Sequence, residues 1–244
     1  MQNLLFICGT PRAGTSELCR IINKSPECAI GMERFYYKAA PNTKFELNGS
    51  LFEKKRFFDV IPGDTFHSGN FYKGMHEKYQ SCKYVGDKIP LLSHHLSKLP
   101  HSFSDRDFKV IFCLRNPFDL SNSYLNRLHN PQDNWNHGIE RAASDFNNAL
   151  RSLSNILASD NASKVIVLEY ESTFFNPTAL PQLFRALEIN ISNELSNEFI
   201  NSLSKSKELS LKRTTNSLSS HDARKICSSF DFALYKQIIQ HAFC

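Results

Sequence analysis

The chain has 244 residues, which is enough for a folded domain with a sizeable apolar core. Its hydrophobic content of 41% and charged content of 22% are ordinary for a globular protein and do not suit a disordered or fibrous chain. The net charge of +5 is too small to indicate nucleic-acid binding, although it suits an enzyme that handles anions.

Targeting and membrane signals are not apparent in the sequence. No stretch reaches the roughly 18 consecutive apolar residues of a membrane span. The first apolar run, Leu4–Cys8, is short and lacks the basic lead of a signal peptide. We therefore expect a cytoplasmic protein that has neither a membrane span nor a nucleic-acid partner.

Short apolar runs alternate with helical patterns along the chain. The runs are rich in Val, Ile or Phe and end in polar clusters: Leu4–Cys8, Cys28–Ile30, Tyr84–Val85, Lys109–Leu114 and Val165–Leu168. Between them, apolar residues recur at helical spacing over 91–99, 120–128 and 142–153. This alternation predicts a three-layer α/β fold, with a mostly parallel central sheet flanked by helices.

Two segments depart from this rhythm. Residues 34–80 are rich in aromatic and basic side chains, and residues 190–220 are rich in Ser, Asn and Lys. The first part of the later segment has helical spacing, whereas its end, LKRTTNSLSS, is typical of a loop. We predict a single domain over 1–244, with a substrate-facing insertion around 34–80 and a lid loop around 204–220.

The first apolar run leads into a glycine loop, and the stretch reads LLFICGTPRAGTSELCR. A strand, a glycine loop and a helix start together form an anion site, because backbone N–H groups converge there. A nucleotide-hydrolysing P-loop carries lysine after its second glycine, but Thr15 stands here and Arg12 precedes that glycine. The later run KVIFCL is followed by Arg115, at the position where a nucleotide-hydrolysing P-loop enzyme would carry a metal-binding aspartate. The pattern therefore favours an anion that is neutralised by side chains without Mg²⁺.

Two motifs together resemble the sulfotransferases that use 3′-phosphoadenosine-5′-phosphosulfate (PAPS). TPRAGTS is similar to their 5′-phosphosulfate loop, and KVIFCLRNPFDLSNS is similar to their 3′-phosphate motif. The resemblance implies a P-loop-like sulfotransferase architecture, PAPS as the sulfuryl donor, 3′,5′-adenosine bisphosphate (PAP) as the product, and no metal. The bacterial, carbohydrate and protein-tyrosine branches are the most similar.

The resemblance also implies which residues bind the donor. Arg115 and Ser123 correspond to the residues that hold the 3′-phosphate, and Tyr170 corresponds to a structural or adenine-side position. A basic pair in the later polar segment would close the 3′-phosphate site. The loop residues expected at the 5′-phosphosulfate are Arg12, Ala13, Gly14, Thr15 and Ser16, and the closing pair is Lys212 and Arg213.

Three residues are candidates for catalysis. Glu33 follows a short strand and is similar to a catalytic glutamate of the protein-tyrosine branch, so we expect it to remove the proton of the acceptor hydroxyl. Lys88 ends the strand CKYVGDK and would stabilise charge on the oxygen that leaves, together with Arg12. Alternative bases are His67, His94 and His95.

The expected reaction is metal-independent, in-line transfer of a sulfuryl group to a hydroxyl acceptor. A carbohydrate is the preferred acceptor, because aromatic side chains in the insertion and around Trp135 could stack on a sugar ring. Two alternatives stay open at this point. One is a P-loop nucleotide kinase or NTPase, and the other is a non-catalytic module that binds adenosine bisphosphate.

Overall fold

The computed structural model describes residues 2–40, 44–213 and 218–243. Its five strands are β1 (Asn3–Gly9), β2 (Cys28–Met32), β3 (Tyr84–Lys88), β4 (Phe108–Leu114) and β5 (Val165–Glu169). They form one sheet in the order β2-β3-β1-β4-β5, in which every neighbouring pair is parallel. The predicted α/β fold with a parallel sheet is confirmed.

Helices cover both faces of the sheet, because alternate strand residues point to opposite sides and both sets are apolar. Leu4 and Phe6 of β1 belong to one buried layer, whereas Leu5 and Ile7 belong to the other. The helices are α1 (Thr15–Ile22), α2 (Tyr36–Ala39), α3 (Lys54–Phe58), α4 (Leu99–Ser102), α5 (Pro117–Leu128), α6 (Ile139–Leu157), α7 (Tyr170–Phe175), α8 (Ala179–Ala186), α9 (Asn193–Arg213), α10 (Ser220–Ser229) and α11 (Phe232–Ile239).

The two buried layers have different coverings. Side chains from α1, α7, α8 and α9 pack on the face of Leu5 and Ile7. The opposite layer contains side chains of α6 and α10 and several aromatic side chains of residues 34–80. None of the helices in the described ranges combines the length and apolar character needed to cross a bilayer.

The insertion at 34–80 is largely part of the core. The Arg34 side chain is fully buried and donates hydrogen bonds to the Phe57 and Asp59 carbonyls and to the Asp64 carboxylate. Phe57 and Tyr79 are also buried. The aromatic excess of this segment therefore mainly fills the core, and only some of its rings remain for a ligand.

The helical pattern over 91–99 does not form one α-helix. It forms a 3₁₀ segment, Pro90–Lys98, in which His95 has non-helical angles, followed by α4. The Leu96 N–H donates to the Ser152 hydroxyl of α6, so an outside acceptor replaces an intrahelical one at the break.

The prediction of a loop from residue 204 onward was wrong for much of that range. Helix α9 continues to Arg213, because its inner face is held by Leu195, Phe199 and Ser202 against the layer beneath it. At the other end of the range, Ser219 caps α10 in a reciprocal pair of hydrogen bonds with Asp222. Residues 214–217 lie outside the described residues.

Candidate active site

The carboxyl ends of all five strands meet at one edge of the sheet, where parallel α/β sheets bind ligands. The glycine loop follows β1. Glu33 directly follows β2, and Lys88 ends β3. Arg115 follows β4, and Tyr170 follows β5. The fold thus brings residues from five distant parts of the chain to the same edge.

The glycine loop follows a path that needs both of its glycines. Gly9 has a φ of 142°, and an added Cβ would lie 2.1 Å from the Cys113 carbonyl oxygen. Gly14 has a φ of 91°, and its added Cβ would lie 2.5 Å from the Tyr170 ring. The helix α1 begins at Thr15, so its first N–H groups lie at the end of this loop. This arrangement suits an anion.

We expect Gly14→Ala to destabilise the fold more than Gly63→Ala does. Both glycines have positive φ, of 91° and 83°, but no atom lies within 4 Å of a Cβ added at Gly63. The control variant therefore carries only the backbone cost, about 1–2 kcal/mol. The clash with Tyr170 should add about 1–3 kcal/mol. Denaturant unfolding of the two variants measures the difference, and equal losses would contradict the close packing of Gly14.

The two sequence motifs contact each other directly. The Arg115 Nη1 donates to the Arg12 carbonyl at 2.8 Å, and the Arg12 Nε donates to the Ser123 hydroxyl at 3.2 Å. Arg115 and Ser123 are buried. Arg12 has a φ of 74°, a left-handed conformation that is uncommon for a residue with a side chain. The glycine loop and the segment that follows β4 therefore form one continuous cationic group.

A cavity of about 260 Å³ lies beside this group. Thr15 and Ser16, which the resemblance assigns to the 5′-phosphosulfate, line it. The Ala13 methyl is buried in the apolar layer, and its N–H donates to the Thr10 carbonyl within the loop. The complete lining is Arg12, Gly14, Thr15, Ser16, Glu17, Arg115, Tyr170, Lys205 and Ser206.

Helix α9 supplies one wall of this smaller cavity. Lys205 and Ser206 lie on that wall, and the Ser202 hydroxyl donates to the Glu17 carboxylate of α1 at 2.8 Å. The resemblance implies closing cations at Lys212 and Arg213. Those two residues belong to α9 by backbone, but their side chains lie outside the described part of the chain.

Tyr170 and Glu171 flank Arg115 on the side of β5. The Arg115 guanidinium carbon lies 4.6 Å from the centre of the Tyr170 ring, and its Nε lies 3.9 Å from the Glu171 carboxylate. Burial raises the pKa of Glu171 to about 7, although Arg115 and the Asn116 N–H act in the opposite direction. Glu171 can therefore change its charge near neutral pH.

We expect the affinity for PAP to fall as pH rises through about 7. Below this value Glu171 is neutral, and above it the ionised carboxylate offsets the positive charge of Arg115. An anion bound at Arg115 should raise the pKa of Glu171 further, so binding should take up a proton. Calorimetry at pH 6 and 8 on the protein and on Glu171→Gln measures this effect. The ligand phosphates titrate near pH 6 in both proteins, so their effect cancels when the two proteins are compared. If the ratio of the PAP affinity of the unchanged protein to that of Glu171→Gln is the same at pH 6 and 8, the prediction is contradicted.

Glu33 and Lys88 form an ion pair. The Lys88 Nζ lies 2.5 Å from the Glu33 Oε1, and the Glu33 N–H donates to the Lys88 carbonyl at 2.8 Å. Lys88 is buried and lines neither cavity described here, so it reaches the site through Glu33. Glu33 has a φ of 59°, again in the left-handed region.

Asp87 fixes the turn that carries Glu33. Its two carboxylate oxygens accept the Arg34 and Phe35 N–H groups at 3.0 and 2.7 Å. Burial raises the pKa of Asp87 to about 7, against the effect of these hydrogen bonds. Gly31 lies opposite Asp87 in the ladder, and a Cβ there would come within 2.8 Å of the carboxylate. Asp87 and Lys88 are adjacent in β3. Asp87 thus holds the backbone next to Glu33, and Lys88 holds the Glu33 side chain.

A second, larger cavity of about 520 Å³ opens on the other side of Arg12. Arg12, Thr15 and Ser16 line both cavities, so they form the wall between them. Glu33 lines only the larger one. Its complete lining is Pro11, Arg12, Thr15, Ser16, Glu33, Tyr36, Phe66, Pro90, Leu91, Arg127, Trp135, His137, Arg141 and Asp145.

The three alternative histidine bases lie outside the lining of both cavities. A ring nitrogen of His94 is 3.2 Å from the Asp145 carbonyl, and burial lowers the pKa of His94. Burial also lowers the pKa of His95, which lies beside Phe45. His67 stacks on Phe71, and burial lowers its pKa.

Several residues of the larger cavity were not identified from the sequence. Arg127 is in the last turn of α5, His137 lies in the irregular stretch 129–138, and Arg141 is in the first turn of α6. No local pattern indicates that these three side chains line one cavity. Asp145 could have been noticed, because it lies one helical turn from Arg141 and forms an ion pair with it. Within the described residues, no group of three or more His, Cys, Asp or Glu side chains is arranged to hold a metal ion.

Comparisons with known proteins agree on the fold. The Synechococcus PCC 7002 olefin synthase sulfotransferase domain matches with a TM-score of 0.55 and 17% identity, covering 81% of this chain and 78% of that one. The sulfotransferase domain from the curacin biosynthetic pathway matches with a TM-score of 0.53 and 16% identity, covering 80% and 77%. A sulfotransferase from Alicyclobacillus acidocaldarius matches with a TM-score of 0.53 and 15% identity, covering 84% and 92%.

Sequence comparisons supply the family. No curated protein sequence matched this chain. The family model described as "Sulfotransferase domain" matches residues 2–233, which is nearly the whole chain. The chain therefore belongs to the sulfotransferase domain family.

Proposed function

We propose that this sulfotransferase uses PAPS as the donor and transfers its sulfuryl group to a hydroxyl of a saccharide. The observation that carries the donor assignment is the direct contact between the two motifs, in which Arg115 binds the Arg12 carbonyl and Arg12 binds Ser123. Two cationic side chains from distant parts of the chain thereby line one cavity. A ligand with a phosphate at each end of an adenosine matches such a pair.

The residues around the smaller cavity fit this donor. The glycine loop and the start of α1 provide N–H groups, and Thr15 and Ser16 provide hydroxyls for a 5′-phosphate. Arg115 lines the cavity and would hold the 3′-phosphate together with Ser123, which contacts Arg12 outside the lining. Lys205 lies on the α9 side of the same cavity and would add a third cation. The donor supplies the sulfuryl group, and the chain supplies the charges that hold it.

The chemistry itself would take place at the wall that the two cavities share. Glu33 would accept the proton of the acceptor hydroxyl while the new oxygen–sulfur bond forms. The bond from sulfur to the phosphate oxygen breaks, and its electron pair stays on that oxygen, where Arg12 can stabilise the charge. Lys88 would hold the Glu33 carboxylate in position through their ion pair. Asp87 would keep the Glu33 turn in place.

A saccharide suits the larger cavity because its lining is amphipathic. Tyr36, Phe66 and Trp135 offer ring faces for the C–H side of a sugar. Charged side chains, among them Glu33 and Arg141, offer hydrogen bonds to hydroxyl groups. A lipid or steroid acceptor would be better matched by a mainly apolar lining.

Calorimetry tests the donor assignment without any acceptor. We expect PAP to bind in the presence of a chelator, and ATP with Mg²⁺ to bind more weakly. An acceptor screen with radiolabelled PAPS then tests the transfer. Binding of ATP in preference to PAP, and only with Mg²⁺, would favour the kinase alternative and overturn the proposal. PAP binding without transfer to any member of a broad acceptor panel would favour the non-catalytic module.

A further inference from the structure

At the larger cavity, two arginine–carboxylate pairs expose more of the arginine side chain than of the carboxylate side chain. The Arg141 side chain is 42% exposed, whereas its partner Asp145 is 6% exposed. The Arg127 side chain is 33% exposed, and its partner Asp133 is 19% exposed. Both arginines line the cavity, and so do Asp145 and Glu33. At each of these two pairs, a ligand therefore meets more guanidinium than carboxylate surface.

Arg127 is held in a fixed orientation. Its Nε and Nη2 donate to the two Asp133 carboxylate oxygens at 2.5 and 2.6 Å. Its guanidinium carbon lies 4.4 Å from the centre of the Trp135 ring. Among the described residues, nothing accepts a hydrogen bond from its Nη1. A guanidinium that is clamped on one edge and stacked on a ring is preorganised to bind an anion with its remaining donors.

Arg141 has a similar arrangement on α6. Its Nε donates to the Asp145 Oδ2 at 3.0 Å, and the same oxygen accepts the Tyr124 hydroxyl at 3.3 Å. No acceptor in the described part of the chain contacts either of its terminal nitrogens. These nitrogens form the outer end of the guanidinium and match the two oxygens of a carboxylate or sulfate.

We propose that the acceptor is an acidic saccharide, whose carboxylate or sulfate binds Arg127 and Arg141 while a hydroxyl lies at Glu33. This inference rests on the proposed function, because it assigns the substrate class of the same site. The aromatic rings beside these arginines would contact the sugar, and the arginines would contact its anionic substituent.

Matched acceptors test this inference. The probes are an oligosaccharide of alternating glucuronic acid and N-acetylglucosamine, its carboxyl methyl ester, an O-sulfated form of that ester, and a neutral N-acetylglucosamine oligomer. We expect kcat/KM for transfer from radiolabelled PAPS to be about tenfold higher for the uronate than for its methyl ester. Transfer to the sulfated ester shows whether a sulfate group can restore the activity that is lost when the carboxylate is esterified. The preference should weaken as salt increases.

Variants identify the residues responsible. Arg127→Gln and Arg141→Gln should each reduce the ratio of uronate to ester activity to about twofold or less, mainly by raising KM for the uronate. Arg151→Gln is the control, because Arg151 is an exposed α6 residue that bonds to Asn148 and does not line the cavity. It should leave the ratio unchanged.

The outcomes separate this inference from the donor assignment. Equal transfer to the uronate and its ester, or transfer only to neutral acceptors, would overturn the acidic saccharide and leave PAPS dependence standing. So would a lack of transfer to every acidic probe while PAP still binds without metal. Failure of PAP to bind would overturn both.

Discussion

Replacing Arg115 with alanine should weaken PAP binding by about 100-fold, which corresponds to about 3 kcal/mol. The guanidinium is buried, contacts the Arg12 carbonyl and lies over Tyr170. Its loss would leave a bound phosphate without its main cation. Calorimetry with PAP in the presence of a chelator measures the effect, and the thermal unfolding of the variant shows whether the fold is retained.

Two other variants make this result specific. Arg115→Lys keeps the charge but loses the planar fork, so we expect an intermediate affinity. Arg151→Ala removes an exposed arginine of α6 and should leave PAP binding unchanged. If a folded Arg115→Ala bound PAP within about threefold of the unchanged protein, the 3′-phosphate assignment would be wrong.

Glu33→Gln should lower the rate of transfer by about 10²–10⁴-fold, the usual contribution of a general base. Glutamine preserves the size of the side chain and an oxygen for Lys88, but it cannot accept the hydroxyl proton at neutral pH. PAP affinity should change little, because Glu33 lines only the larger cavity. Initial rates with radiolabelled PAPS and an accepted saccharide measure the loss.

A matched control is available in the same part of the chain. Glu46 is an exposed carboxylate that pairs with Lys38 at 2.9 Å, and Glu46→Gln should keep full activity. Nearly full turnover in Glu33→Gln would exclude Glu33 as the base. The histidine alternatives would then be tested first, beginning with His67, whose pKa responds to the charge of Glu33.

The sequence was sufficient to predict the sheet and the residues at its edge. Buried strands are short apolar runs, and the polar residues that follow them, such as Glu33 and Arg115, must lie where parallel strands end. The glycine loop was equally clear, because Gly9 and Gly14 stand at positions where the backbone needs positive φ. These features depend on neighbouring residues, so a local pattern reveals them.

Features that depend on distant contacts could not be predicted. The break at His95 involves Ser152 of another helix. Helix α9 extends through a polar sequence because one of its faces packs on the core. The Glu33–Lys88 pair joins two strand ends, and sequence reasoning assigned the two residues to separate tasks. The residues around Lys205 in the sequence do not distinguish it from a solvent-exposed lysine on a helix, so its place in the smaller cavity could not be predicted.

The left-handed backbone at Arg12 and Glu33 lowers the stability of the fold at two residues that the proposed reaction uses. Such a conformation costs about 1–2 kcal/mol for a residue with a side chain, and glycine would avoid that cost at either position. Glycine would also remove the group that the proposed reaction needs. A population of variants selected only for resistance to heat should therefore lose the Arg12 side chain early. Loss of the Glu33 side chain would instead leave the buried Lys88 ammonium without its carboxylate. Selection for the proposed sulfuryl transfer would be needed to retain the Arg12 side chain.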